Sequence, residues 1–191
     1  MSSMFENEVI KAIKERRSVR EFLSNQVEEE KIKALLEAAI FAPSAVNGQP
    51  WFFTVVQNLD ILNKMNQEIR NVMLQSSDEN LKKFALKEDF NVFHNAPMAI
   101  IVSGKENSQS AQIDCAAATQ NILLAAKSLG LATCWIGFVG ILFSSPKAQD
   151  YIKLLKIPEG YKPLWAIALG YTENYPQTVP ERNWNVVEWI K

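Results

Sequence analysis

The stretch from Ala111 to Leu129 constrains this chain more than any other. Read at helical spacing, Ala116-Ala117-Ala118 and Leu123-Leu124-Ala125-Ala126 leave little polar face, so the helix has to be buried on most of its sides. Its small side chains also let another helix approach closely, within one chain or across a dimer. Gly130 stands where a helix ends in the left-handed conformation. Thr133 to Gly137 then reads as a short strand.

The other segments alternate around that helix. Met4 to Arg16 places Phe5, Val9, Ile10 and Ile13 on one helical face, and Glu28 to Phe41 does the same with Ile32, Leu35, Leu36, Ala39 and Ile40. Leu59 to Leu74, Asp78 to Phe90 and Pro146 to Leu155 read as further helices. Trp51 to Val56, Met98 to Val102 and Leu164 to Gly170 are apolar runs of strand length. From Thr172 onward the chain is extended and interrupted by Pro176 and Pro180, yet it carries Trp184, Val186, Val187, Trp189 and Ile190. Such a tail needs a surface to lie on, its own or a partner's. Nothing divides the chain, so one α+β or α/β layered domain over residues 1–191 is expected.

Composition narrows the function classes. A chain of 191 residues buries roughly 70% of the surface it exposes when unfolded, so it needs no metal or disulfide staple. Twenty Lys and Arg stand against 21 Asp and Glu, which leaves no basic excess for nucleic acid or an anionic membrane. Cys115 and Cys134 fit neither a disulfide framework nor a CxxC pair. The single histidine, His94, cannot assemble a multi-histidine metal site; no metal is expected. The first residues lack the apolar core of a signal peptide, and no run of about 18 apolar residues occurs. A reduced, cytoplasmic protein is the expectation. GxGxxG, GxxxxGK[ST] and GxSxG are all absent.

Three stretches carry the chemistry that remains. Arg16-Arg17-Ser18-Val19-Arg20 gathers three guanidiniums and a hydroxyl just past a helix. It can surround a small dianion by charge-assisted hydrogen bonds, or lie as a solvated patch paired with Glu15 and Glu21. Pro43-Ser44-Ala45-Val46-Asn47-Gly48-Gln49-Pro50-Trp51 is a loop stiffened by prolines whose hydroxyl and amides suit a polar heterocycle, or simply a turn. Gly130 to Gly137 is a strand whose last glycine lets backbone approach a flat ligand, or an ordinary core strand.

In their order and spacing these blocks resemble the FMN-dependent nitroreductases. RRSVREF, APSAVNGQPW, the alanine-rich helix running into LGLATCWIG, and IPEGYKPLWAIALGY carry the resemblance across nearly the whole chain. It implies an α+β nitroreductase-like fold, with a central, mainly antiparallel sheet flanked by helices. It also implies an intertwined homodimer with FMN at the subunit interface and a tail, from about residue 172, packed on the partner. Arg16, Arg17, Ser18 and Arg20 would hold the phosphate, ribityl chain and pyrimidine edge, and Arg182 would close the phosphate site. Pro43, Ser44, Ala45 and Asn47 would reach the flavin from the other subunit. Trp135, Ile136 and Gly137 would line the ring, with a backbone N–H near N5. Arg16 or Arg17 is the candidate for stabilising charge near N1 and C2=O of the reduced ring.

The resemblance further implies ping-pong transfer of two electrons from NADH or NADPH to a nitroaromatic, quinone or similar small electron-poor acceptor, with no catalytic side chain because FMN carries the chemistry. A flavin-binding sensor or storage protein needs the same site, and a small hydrolase or interaction module would bind no flavin. Three departures from relatives stand out: Ala45 replaces a second Ser, Ile136 an acidic residue beside the flavin, and Pro180 a Lys.

Overall fold

The computed structural model describes residues 5–191; the expected first turn at Met4 lies outside them. Four strands form one sheet: β1 (Trp51–Val56), β2 (Met98–Lys105), β3 (Ala132–Ile136) and β4 (Tyr161–Gly170). Their order is β1-β2-β4-β3, and every neighbouring pair is antiparallel. Around them stand α1 (Glu8–Glu15), α2 (Glu29–Ile40), α3 (Leu59–Leu74), α4 (Glu79–Ala85), α5 (Ala111–Ser128), α6 (Val139–Phe143) and α7 (Ala148–Leu154). The fold is therefore α+β with a central antiparallel sheet, as the sequence implies.

The two middle strands are buried nearly end to end, which is why Met98–Val102 and Leu164–Gly170 read as continuous apolar runs. β4 carries Pro163, which cannot donate to a ladder, and its pairing with β2 slips by one residue between Val102 and Ser103. On one face, Gly104 lies against Ala111 and Cys115 of α5, where an added Cβ would sit 3.2 Å from the Ala111 side chain. Trp165 reaches the same helix and donates from Nε1 to Thr119 Oγ1 at 2.8 Å. On the other face, Thr54 Oγ1 donates to the Leu155 carbonyl just past α7 at 3.5 Å.

α5 buries a stripe made of Ala111, Cys115, Ala118, Ile122 and Ala126, with Ala116, Ala117 and Leu124 left half-buried. Its C-terminus closes as a Schellman motif. Leu131 N–H donates to the Ala126 carbonyl at 2.8 Å and Gly130 N–H to Lys127 at 3.2 Å, with Gly130 at φ +73. α2 packs on α5, and Asn121 Nδ2 donates to the Ala38 carbonyl at 2.9 Å.

Two expectations for the helices change. Val9 and Ile13 of α1 are exposed while Ile10 is half-buried where the helix meets α5, so among the described residues its apolar face is only partly covered. Ile40, expected inside, is also exposed, beside exposed Phe41. No helix among the described residues is long and apolar enough to cross a membrane.

Candidate functional site

The Arg16–Arg20 segment runs along the free edge of β3. Ser18 bridges to Thr133 in parallel, and Val19 N–H donates to the Thr133 carbonyl at 2.9 Å. This pairing fixes the backbone, so Val19 turns inward and Arg16, Ser18 and Arg20 remain at least partly open. Cys134, next along β3, lies within their field. Burial pushes its thiol up, while Arg20 and Arg16 pull it partway back. The Arg20 charge also acts on His94, whose pKa is lowered first by burial and then by that guanidinium.

The three guanidiniums are not equivalent. Arg17 is buried and already engaged. Its Nη1 donates to the carbonyls of Arg16 (2.6 Å) and Lys14 (2.7 Å), and its Nε to that of Thr178 (3.2 Å). Nη2 makes no hydrogen bond among the described residues. Its backbone N–H donates to the Tyr175 hydroxyl at 3.0 Å, so Arg17 ties the end of α1 to the tail. Arg16 has the opposite character: its Nε is buried and has no acceptor among the described residues. A buried cationic donor left without a partner is costly, and an anionic ligand would satisfy it. Arg20 is exposed, and its one hydrogen bond among the described residues runs from Nη1 to the Ser18 carbonyl, at 3.5 Å.

The proline-bounded loop has its own geometry. A 3₁₀ turn covers Ala45–Asn47, and Val46, Asn47 and Gln49 all take positive φ, at 48, 56 and 42. Inside the loop, Ser44 Oγ accepts from Gln49 N–H at 3.1 Å and Asn47 Oδ1 from Gln49 Nε2 at 3.3 Å. The hydroxyl proton of Ser44 and the amide hydrogens of Asn47 remain as donors toward solvent. Pro43, Ala45 and Val46 are exposed.

Trp135 is partly exposed and lies 4.8 Å from Trp165 at a tilt of 43°. Ile136 turns into the core and is buried, so only its backbone can face a ligand. Gly137 is exposed, and an added Cβ there would meet nothing within 4 Å of its own chain. Arg182 lies on the extended tail and makes no hydrogen bond or ion pair among the described residues.

Within one chain the arginine segment and the loop mark opposite ends of α5. Lys127 in its last turn lies over the Tyr175 ring at 4.2 Å and pairs with Glu15 at 3.5 Å. Asp114 in its first turn holds the loop at Ala45. The 13 residue steps from Asp114 to Lys127 span about 20 Å at 1.5 Å per residue.

Asp114 had not been singled out from sequence. Its signal there is faint: one acid in the first turn of an otherwise apolar helix. Both cysteines are buried, with the Cys115 thiol pushed up to about 12 by burial and by Asp114, so neither has nucleophile character.

Comparison with known proteins adds the lineage. The model of the nitroreductase family matches residues 13–171. A solved nitroreductase with bound FMN from Bacteroides fragilis superposes with a TM-score of 0.90 at 34% identity, covering 97% of this chain and all of that one. A nitroreductase with bound FMN from Desulfitobacterium hafniense gives 0.90 at 32% identity, covering 98% of this chain and all of its own. An FMN reductase (NAD(P)H) of Bacillus subtilis is 30% identical over 174 residues, which is 86% of this chain and 66% of that protein.

Proposed function

The chain belongs to the nitroreductase family, and from that premise we propose that it is an FMN-dependent NAD(P)H oxidoreductase working as a homodimer with its cofactor between the subunits. The observation that carries the cofactor reading is the Arg16 guanidinium. Its buried Nε lacks an acceptor among the described residues, beside a half-buried Ser18 and an exposed Arg20 on the edge of β3. A phosphate with its ribityl chain fits that donor set: two guanidiniums offer charge-assisted bonds and the serine a neutral one.

When bound, FMN would supply two-electron redox chemistry that no side chain here possesses. The chain's residues bind, orient and polarise. Arg16 and Arg20 carry the charge-assisted contacts to the phosphate. Arg17 serves the tail instead, through Thr178 and Tyr175. Trp135 and the open backbone at Gly137 offer one wall of a flat slot. Ser44 and Asn47 bring donors to it from the second subunit, and Arg182 approaches with the tail.

The position of these groups along α5 supports a two-chain site. A twofold axis crossing that helix sets the loop of one copy beside the arginine segment of the other. Turnover is ping-pong: NADH or NADPH leaves before a nitroaromatic, quinone or similar electron-poor acceptor takes its place. An absorption spectrum of the purified protein, followed anaerobically with each nicotinamide, tests the reading. A flavin band that bleaches is expected. A flavin band that neither donor bleaches would favour a sensor or store, and no flavin uptake from added FMN would reject the cofactor.

A further inference from the structure

Between Pro43 and Gln49 the loop makes one hydrogen-bonded contact to another element among the described residues, and that contact is Asp114. Ala45 N–H is shared between the two carboxylate oxygens, at 3.3 Å each. The other bonds of the loop are internal: Asn47 N–H to the Ser44 carbonyl, Gly48 N–H to Ala45, and the two made by Gln49.

Asp114 itself is 6% exposed, an uncommon place for a carboxylate, and it forms no ion pair among the described residues. What stabilises its charge is local. Ser110 Oγ donates to Oδ2 at 2.7 Å, and the first turn of an 18-residue helix presents its free N–H groups and positive dipole end. A buried carboxylate is costly to keep where an apolar side chain would fill the space. The loop it holds is equally costly. Val46 is β-branched, fully exposed and left-handed, and Asn47 and Gln49 share that conformation. Backbone held in such geometry persists where the surroundings over-determine it, and it concentrates at ligand clamps.

We propose that Asp114 is a positioning residue: by fixing the Ala45 amide it presets the Ser44–Asn47 loop in the shape that meets a flavin bound to a second copy of the chain. This rests on the reading above for what the loop meets. Its role is preorganisation, lowering the cost of ordering the loop when the ligand arrives. Asp114 touches no ligand.

The test compares the 191-residue chain with its Asp114→Ala, Asp114→Asn and Ala45→Pro variants. Ala45→Pro removes the same hydrogen bond from the other side, and Ser44 already has the extended backbone that a following proline requires (φ −141, ψ 150). Three readouts are taken: hydrogen exchange of residues 44–48 in the apoprotein, FMN affinity by fluorescence quenching, and the thermal midpoint. In Asp114→Ala, exchange across the loop is expected to rise about tenfold. FMN affinity is expected to fall about ten- to a hundredfold, the worth of a hydrogen bond to a charged group.

Asp114→Asn keeps an acceptor oxygen and should retain most of both. Ala45→Pro should lose FMN affinity as Asp114→Ala does while leaving α5 intact, so it decides the matter if the alanine variant fails to fold. Loss of affinity out of proportion to the change in midpoint, with rescue by asparagine, separates positioning from mere stability. If the wild type binds FMN and Ala45→Pro and Asp114→Ala bind it equally well with an unchanged flavin spectrum, the role of Asp114 is overturned alone. If the wild type takes up no FMN, the parent reading falls and this one with it.

Discussion

Arg16, Arg17 and Arg20 repeat one chemistry within five residues, and the fold gives each a different environment. Sequence could place them near one another but could not rank them, because the ranking depends on groups far along the chain. Arg17 is occupied by the carbonyl of Thr178, 161 positions away. Arg16 is left with a buried donor to satisfy. The Arg20 charge acts on His94, and that coupling gives an independent test of where a phosphate lands. As the only histidine, His94 supplies one resolvable imidazole titration by NMR. In the free protein it should titrate below its ordinary 6.5, because burial and then Arg20 both disfavour the charged ring. The sign for stability follows. As pH falls from 6.5 toward the folded value, the unfolded chain takes up a proton that the folded one refuses, and stability drops over that window. If FMN phosphate neutralises Arg20, saturating FMN raises the His94 pKa, as Arg20→Ala does in its absence. A titration unmoved by saturating FMN would remove Arg20 from the phosphate site.

At the scale of elements, most of the architecture was legible. All four strands fall where apolar runs of strand length stand between turn signals, and α3 falls on Leu59–Leu74 as expected. The glycine after α5 closes it in the manner that its position predicts. The unread element is α6, where Val139–Phe143 is nearly all apolar and spans five residues, too short for a helical period to emerge. α4 is shorter than Asp78–Phe90 because it caps at Leu86, and the chain then turns so that Phe90 and Phe138 both meet Phe84. The buried side chain of Ile136 was illegible for a similar reason: the phase of β3 is set by its register with β4, where Ile136 pairs with Ala166. That register also leaves Gly137 clear, which makes it an informative position. Its φ is not in the left-handed region, and a Cβ would meet nothing within 4 Å of its own chain, so Gly137→Ala should leave the melting temperature of the apoprotein within about 2 °C. If the flavin ring lies against this backbone, the added methyl crowds it, and FMN affinity should fall by about 1 to 3 kcal/mol. Calorimetry of apoprotein beside FMN titration separates the two; unchanged affinity would move the ring away from Gly137.

At the scale of the molecule, the apolar surface is what a single chain leaves unexplained. Val9 and Ile13 on α1, Phe41 past α2, Val46 on the loop and Ile113 on α5 are all exposed. The tail adds Val179, Trp184, Val186, Val187, Trp189 and Ile190, with Trp184 83% and Ile190 97% exposed. Scattered apolar residues are ordinary, but a tail carrying two tryptophans and several aliphatics cannot stay in water without cost. Its anchoring is one-sided. Up to Thr178 it is held by Arg17, by Lys127 over the Tyr175 ring, and by Asn174 Nδ2 to Glu21 at 2.9 Å. Beyond Thr178 no hydrogen bond among the described residues ties it to the body. Burying even four of those side chains against a second chain would contribute about 6 to 12 kcal/mol before the cost of association. If the tail packs on a second copy as proposed, a chain ending at Thr178 should keep its own sheet and core but lose its grip on that partner. By light scattering, the 191-residue chain should run at twice its 21.6 kDa mass, and the shortened one should dissociate toward the monomer on dilution. FMN uptake should fall with the dimer, since the loop and the arginine segment would no longer meet across the interface. A shortened chain that stays dimeric and keeps its FMN would assign the contact to α1 and α5 and leave the tail outside the site.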